Sequence, residues 1–288
     1  MNYRNIQDLI RLAEKQKKKI GEIVIAVEAE QKDMPPEKVR EQMVKVWRVM
    51  QASIRRGLAK ENRSVSGLSG GDAKLVTKTK PRFLSRRIIK AVAMALGVAE
   101  VNAAMGKIVA CPTAGSCGIV PAALTEAASR LKLSEDDVIL ALFTAAGIGI
   151  VCSINASISG AEGGCQAECG VAAAMAAGAL TELAGGTPKQ VGYAVALCLS
   201  NMLGLVCDPV AGLVEVPCIL RNAGALMQTF LAAELALAGV ESRIPVDEVI
   251  SAMDEVGKAL PESLRETAQG GLANTPTGQR LCRDLPLD

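Results

Sequence analysis

The sequence predicts an all-α fold, a multi-helix globular domain in which glycine-rich loops between helices carry the chemistry. Three observations predict it. Apolar residues recur at helical spacing near both ends of the chain, the punctuation between segments is that of helix caps, and no stretch sustains period-two alternation. Half of the 288 residues are hydrophobic, yet the aromatics are one Trp, two Tyr and three Phe. The core must therefore be built from Ala, Val, Leu, Ile and Met, with Gly where backbones approach closely, a composition suited to tightly crossed helices.

Taken in order, Ile6, Leu9, Ile10 and Ala13 share one helix face. Val39, Met43, Val46, Trp47, Met50 and Ile54 form a second stripe, and Pro35-Pro36 breaks the chain between the two and suits a first helical turn. This predicts an N-terminal helical pair over residues 1–60, with residues 61–288 forming the rest of a single domain. Residues 61–74 read as a Ser/Gly loop, followed by a helix from Ser85 to about Met105 that Gly106 stops. Ser134-Glu-Asp-Asp137 has capping-box spacing before an apolar run, and Thr187-Pro188 pairs an N-cap with proline at the first helical position. Pro245 opens a late amphipathic helix that Pro261 closes, and no internal repeat is evident.

Several function classes are disfavoured. Residues 138–161 are uncharged, but only 138–152 are essentially apolar, against the ~20 residues of a spanning helix, and no Trp or Tyr belt flanks them. A helix buried on all sides, with no membrane, is the simpler expectation. The N-terminus is charged and lacks an apolar signal core, and nine cysteines, an odd number, do not make a fully paired disulfide framework; a reducing cytoplasm is expected. Residues 1–100 hold 22 Lys/Arg against 11 Asp/Glu, and the remainder 10 against 19. Solvated helix faces explain this asymmetry, as does a docking surface for an acidic partner or a field drawing in a carboxylate. The basic residues are not interleaved with aromatics, so no nucleic acid is expected.

The most informative residues are Cys165, Cys207 and Cys218. Cys165 lies in Ser-Ile-Ser-Gly-Ala-Glu-Gly-Gly-Cys-Gln-Ala-Glu (157–168), and the other two in Gly-Leu-Val-Cys-Asp-Pro-Val-Ala-Gly-Leu-Val-Glu-Val-Pro-Cys (204–218). Glycine and proline crowd each thiol, which predicts loops or helix ends with free N–H groups able to bond cluster sulfurs. Three thiolates suit an iron–sulfur cluster with one open iron; zinc with a bound water suits them too, and the spacing alone does not decide. Cys152 and Cys198 read as packed hydrophobes, as do Cys111 and Cys117 in Cys-Pro-Thr-Ala-Gly-Ser-Cys; Cys169, four residues after Cys165, is a reserve ligand, and the tail residue Cys282 is a remote one.

These cysteine segments resemble the α chain of the iron–sulfur-dependent L-serine dehydratases. So do Gly67-Leu-Ser-Gly-Gly-Asp-Ala73, Glu100-Val-Asn-Ala-Ala-Met-Gly106, Pro112-Thr-Ala-Gly-Ser116, Asn155-Ala-Ser-Ile-Ser-Gly160 and Arg265-Glu-Thr-Ala-Gln-Gly-Gly-Leu-Ala-Asn-Thr-Pro-Thr-Gly278, in the family's order. Cysteines at 111, 117 and 169 stand where the family usually has small residues. The resemblance implies a [4Fe-4S] cluster on Cys165, Cys207 and Cys218. It also implies L-serine as substrate, pyruvate and ammonia as products, and a separate β chain in a hetero-oligomer. The open iron would act as Lewis acid on the serine hydroxyl.

Glycine-rich loops at helix N-termini are expected to hold the carboxylate through N–H and hydroxyl groups, with Ser69, Gly70, Gly71, Asp72, Thr113, Gly115, Ser116, Asn155 and Ser157 as candidates. The chain has no histidine, so the base that removes the Cα proton is expected from the β chain, or from a buried acid or lysine here. L-cysteine desulfidase, L-threonine dehydratase and a non-enzymatic iron–sulfur sensor are the alternatives.

Overall fold

A computed structural model describes residues 2–285, which form thirteen α-helices with no β-strand among the described residues. The first sixty residues hold three helices, α1 (Ile6–Gln16), α2 (Ile20–Gln31) and α3 (Pro36–Ala59), where the sequence stripes indicate a pair. The extra one, α2, has no clear stripe because Ile20, Gly21, Ile23, Val24, Ile25, Val27 and Ala29 are all buried, leaving only a narrow exposed strip with Glu22 and Glu30. Asn5 caps α1 by accepting from the Asp8 N–H at 2.7 Å, and Pro36 occupies the first turn of α3.

The Ser/Gly loop expected over 61–74 ends at Gly71, since α4 (Asp72–Lys78) begins one residue later. Ser85 then caps α5 (Arg86–Ala103) through the Ile88 N–H at 3.3 Å. There follow α6 (Ile119–Leu131), α7 (Glu135–Asn155), α8 (Gly160–Gly163), α9 (Val171–Leu183), α10 (Pro188–Ser200), α11 (Cys218–Leu237), α12 (Val246–Ala259) and α13 (Pro276–Asp284). Reciprocal capping boxes, Ser134 with Asp137 and Thr187 with Gln190, start α7 and α10.

The core is centred on α9, in which every residue from Val171 to Glu182 is buried. α6, α7, α10 and α11 surround it, and the run of Ala and Gly lets them come close. The same device joins α3 to α5, where a Cβ on Gly57 would stand 2.4 Å from the Gly97 carbonyl carbon. α7 has a mean hydropathy of 2.2 over its apolar window and is long enough to cross a bilayer by composition. That window is 67% buried, against α2 and α9 in particular, as expected of a core helix.

One buried acid is essential to this arrangement. Glu182, near the end of α9, accepts from the Ile20 N–H at 2.6 Å, the Gly21 N–H at 3.3 Å and the Thr144 hydroxyl, so it caps α2 and ties it to α7. Burial holds its carboxyl above the ordinary 4.5 in spite of these donors. The folded state thus binds this proton more tightly than the unfolded chain does. Its contribution to stability is full below about pH 4.5 and is lost as pH rises through the folded value. Glu182→Ala is expected to cost about 2–4 kcal/mol in urea unfolding, through unsatisfied donors plus a cavity. In Glu182→Gln, stability relative to wild type should improve as pH rises above 4.5; a difference that does not change with pH refutes the assignment.

Candidate functional site

Three segments carry the three thiols, and each is held by a polar clamp. After Gly164 (φ +75°), Cys165 precedes a π-helical turn, Gln166–Gly170, that opens into α9. Such wider turns recur at functional sites because they re-aim side chains. Here Cys165, Glu168 and Cys169 fall at spacings of three and four. The buried Gln166 side chain fixes the turn, donating to the Met253 carbonyl at 2.8 Å and accepting from the Gly204 N–H at 2.9 Å. Its own N–H donates to the Leu205 carbonyl at 3.0 Å.

Cys207 sits on extended chain paired with Arg265 across an isolated parallel bridge. Its N–H donates to the Leu264 carbonyl at 2.9 Å, and its carbonyl accepts from the Glu266 N–H at 2.7 Å, so both backbone groups are satisfied. Cys218 is the first residue of the 20-residue helix α11, where the helix dipole favours a negative sulfur. Asn222, one turn later and fully buried, donates to the carbonyls of Gly115 (2.7 Å) and Cys218 (3.0 Å) and accepts from the Gly118 N–H (3.0 Å). It thereby docks the 113–118 turn onto the start of α11.

The three thiols are buried and lie within electrostatic reach of one another. Burial first, and the Cys165 charge next, push Cys218 up to about 12 and raise Cys207 further. Cys165 is held below the ordinary value by its hydrogen bond with Cys169 and by the Arg221 charge; Cys169 rises correspondingly. Glu168 lies among them: the Cys207 thiol approaches it at 3.9 Å, the Thr113 hydroxyl bonds to it, and burial raises its carboxyl. Gly160 leaves space in front of this group, since a Cβ there would come within 3.0 Å of the Cys207 sulfur. On the far side, the half-buried Arg221 donates to Asp208 at 2.7 Å and to the Val206 carbonyl at 2.8 Å.

The candidates from sequence fall into distinct places. Thr113 and Gly115 flank Glu168, and a Cβ on Gly115 would lie 3.6 Å from its carboxylate oxygen. Ser116 is fully buried inside its own turn, bonded to Thr113 and to the Cys111 carbonyl. Ser69, Gly70 and Asp72 line a separate cavity of about 140 Å³ together with Glu215, to which the Ser66 and Ser69 hydroxyls donate at 2.9 and 2.7 Å. Gly71, at φ +96°, caps α4 beside that cavity. Because Glu215 is three residues before Cys218, the 64–72 loop is anchored next to the thiol segment by a carboxylate. Ser157 donates to Glu162 at 2.6 Å, and Asn155 is turned away onto the Arg4 carbonyl at 2.6 Å.

The other cysteines are Cys111, Cys117, Cys152 and Cys198, all buried and all raised by burial, and Cys282, exposed on α13. Sequence reasoning missed Glu168, Arg221 and Asn222. The available signal was helical spacing, since Glu168 and Arg221 each follow a thiol by three residues.

Comparison with known proteins bears on this arrangement. Residues 15–273 match the family described as serine dehydratase alpha chain. The chain is 48% identical over 282 residues to the probable L-serine dehydratase, alpha chain, of Bacillus subtilis (strain 168), covering 97% of this chain and 94% of that one. It is 45% identical over 270 residues to the L-serine dehydratase, alpha chain, of Peptoniphilus asaccharolyticus, covering 93% and 92%. With L-serine dehydratase 1 of Escherichia coli (strain K12) it shares 44% identity over 244 residues, 82% of this chain and 54% of that longer one. With a family match over residues 15–273 and relatives 45–48% identical along nearly their whole length, the chain belongs to the serine dehydratase alpha chain family.

Proposed function

We propose that this chain is the α component of an L-serine dehydratase, converting L-serine to pyruvate and ammonia with a [4Fe-4S] cluster held by Cys165, Cys207 and Cys218. The observation that carries the reading is the gathering of these three buried thiols, from three separate segments, around Glu168 and Arg221. Relatives named L-serine dehydratase, alpha chain, support the substrate, and that name supports a separate β chain.

The residues present fit such a cluster. Cys165, Cys207 and Cys218 come from three separate segments, are buried and lie within electrostatic reach of one another. A four-iron cluster needs each thiolate on a different iron, and so spread about it. Arg221 offsets the negative charge that three thiolates bring into a buried place, and Gly160 keeps the approach to Cys207 clear. Bound there, the cluster would supply a Lewis-acidic iron for expulsion of the serine hydroxyl, a poor leaving group.

The chain's own groups do the rest. Glu168, with Thr113 and the Cys207 thiol bonded to it, keeps one acid among the thiols, where burial favours its protonated form. The 113–118 turn, docked by Asn222, presents Thr113 and Gly115 beside it. Removal of the Cα proton needs a base, and with no histidine in the chain the β chain supplies it. The enamine product, 2-aminoacrylate, then tautomerises and hydrolyses in water. A cytoplasmic location follows from a cluster and free thiols that need a reducing compartment.

Protein purified without oxygen should contain about four iron and four acid-labile sulfide per chain, falling away in Cys207→Ser. Zinc, or no metal, in the wild type overturns the cluster. The cluster-loaded α chain alone should turn over L-serine at least about 100-fold more slowly than with the β chain added, the usual worth of a positioned base. Full activity of the α chain alone would move the base to this chain, where Glu168→Gln is the next variant to assay.

A further inference from the structure

A second feature lies just behind the thiol centre. One turn of helix, α8, separates the two: Gly160 faces the Cys207 sulfur, while Ala161, Glu162 and Gly163 line a cavity of about 270 Å³ on the other side. Arg265 reaches into this cavity from the backbone paired with Cys207. Among the described residues its guanidinium makes no hydrogen bond or ion pair, and its Nε is buried without a partner. A buried guanidinium donor left unpaired is costly, and planar forks of this kind are matched by carboxylates.

The remaining charges of the cavity are already placed. Lys258 is paired with Asp254 along α12, and Glu162 is oriented by the Ser157 hydroxyl at 2.6 Å, with its second oxygen left over. The cavity therefore offers one unused cationic fork and two carboxylates, Glu162 and Asp254, each with one oxygen unbonded, of which Glu162 is the one not paired with a lysine. Its volume is below the ~300–1,000 Å³ of sites for drug-sized ligands, which suits a small zwitterion and not a nucleotide.

We propose that this cavity is a binding site for a small amino acid, with the carboxylate on Arg265 and the ammonium on Glu162. Identification of that amino acid as L-serine rests on the dehydratase reading; the charge pattern does not. Because Arg265 and Cys207 are paired, occupancy of the cavity and the position of Cys207 are mechanically linked, and the site holds serine one helical turn from where it is consumed.

The test is equilibrium dialysis on the full chain without its cluster, so that nothing turns over, using L-serine, L-serinamide and 3-hydroxypropionate as probes. L-serine should bind saturably, and L-serinamide, which lacks the carboxylate, about tenfold or more weakly. Arg265→Ala should lose L-serine by a similar factor, and Arg265→Lys should recover part of it. Glu162→Gln should weaken L-serine and leave 3-hydroxypropionate, which has no ammonium, unchanged. Circular dichroism of each variant checks the fold. Binding of L-serine that is indifferent to Arg265→Ala, or no binding to folded wild type, overturns the site. Failure of the dehydratase reading would show separately, as iron-loaded protein with its β chain that does not act on L-serine.

Discussion

Close approach between helices built from alanine and glycine is the constraint on which the rest of this structure depends. A core with six aromatics cannot fill space with large rings, so it excludes water by bringing backbones together. α9 is the extreme case, buried from Val171 to Glu182 and enclosed by four helices. A helix fixed on every side also fixes what lies at its N-terminus. The π-helical turn that follows Cys165 and carries Glu168 and Cys169 inherits that rigidity, which keeps these side chains in place. The same economy leaves little apolar area per residue, and polar clamps such as Gln166, Glu182 and Asn222 complete the fixing.

Those clamps share one design. Each is a fully or nearly buried side chain that serves backbone groups of a distant segment, and each has most of its capacity used. Breaking one would strand donors or acceptors in a place water does not reach, a larger penalty than the net worth of the bonds themselves. Glu168 differs in that its partners are a hydroxyl and a thiol and not backbone, so its protonation can change without dismantling the fold. This separates an acid that holds structure, Glu182, from an acid free to take part in chemistry.

Much of the fold was legible because it is written locally. Ser85, Ser134 and Thr187 cap the helices the sequence assigned to them, and Pro36 sits where a first turn tolerates it. α2 was not legible, since amphipathic periodicity fades once most of a helix surface is buried and only a narrow strip, with Glu22 and Glu30, faces solvent. The three thiols were legible from the bent backbone that glycine and proline impose, and the structure does place them at a helix start, an extended bridge and the head of a π turn. Arg221, Asn222 and Arg265 were not, because their meaning lies in partners far away in sequence: the Val206 carbonyl, the 113–118 turn and the Cys207 backbone. Among the loop residues, local chemistry also misdirects. Ser69 and Asn155 look free in sequence, yet their side chains are taken up by Glu215 and by the Arg4 carbonyl.

The Arg221–Asp208 pair shows why such a site is not simply optimised for stability. Two charges, 16% and 4% exposed, are taken out of water to meet at 2.7 Å. A buried pair of this kind often contributes no more than a well-packed apolar pair would, because desolvation consumes the Coulomb gain. Here the charges also have other work. Asp208 accepts from the Leu272 N–H at 2.7 Å, and Gly271, at φ +58°, lets that segment close over it. Arg221 holds the Val206 carbonyl, one residue before Cys207, and places its charge beside Cys165 and Cys218. An apolar replacement could match the volume and even the stability, but it would strand a carbonyl and an N–H and leave the thiols without a counter-charge. On the proposed cluster reading, the pair serves what ligating thiols would become, anions in a buried place, by fixing a cation against them.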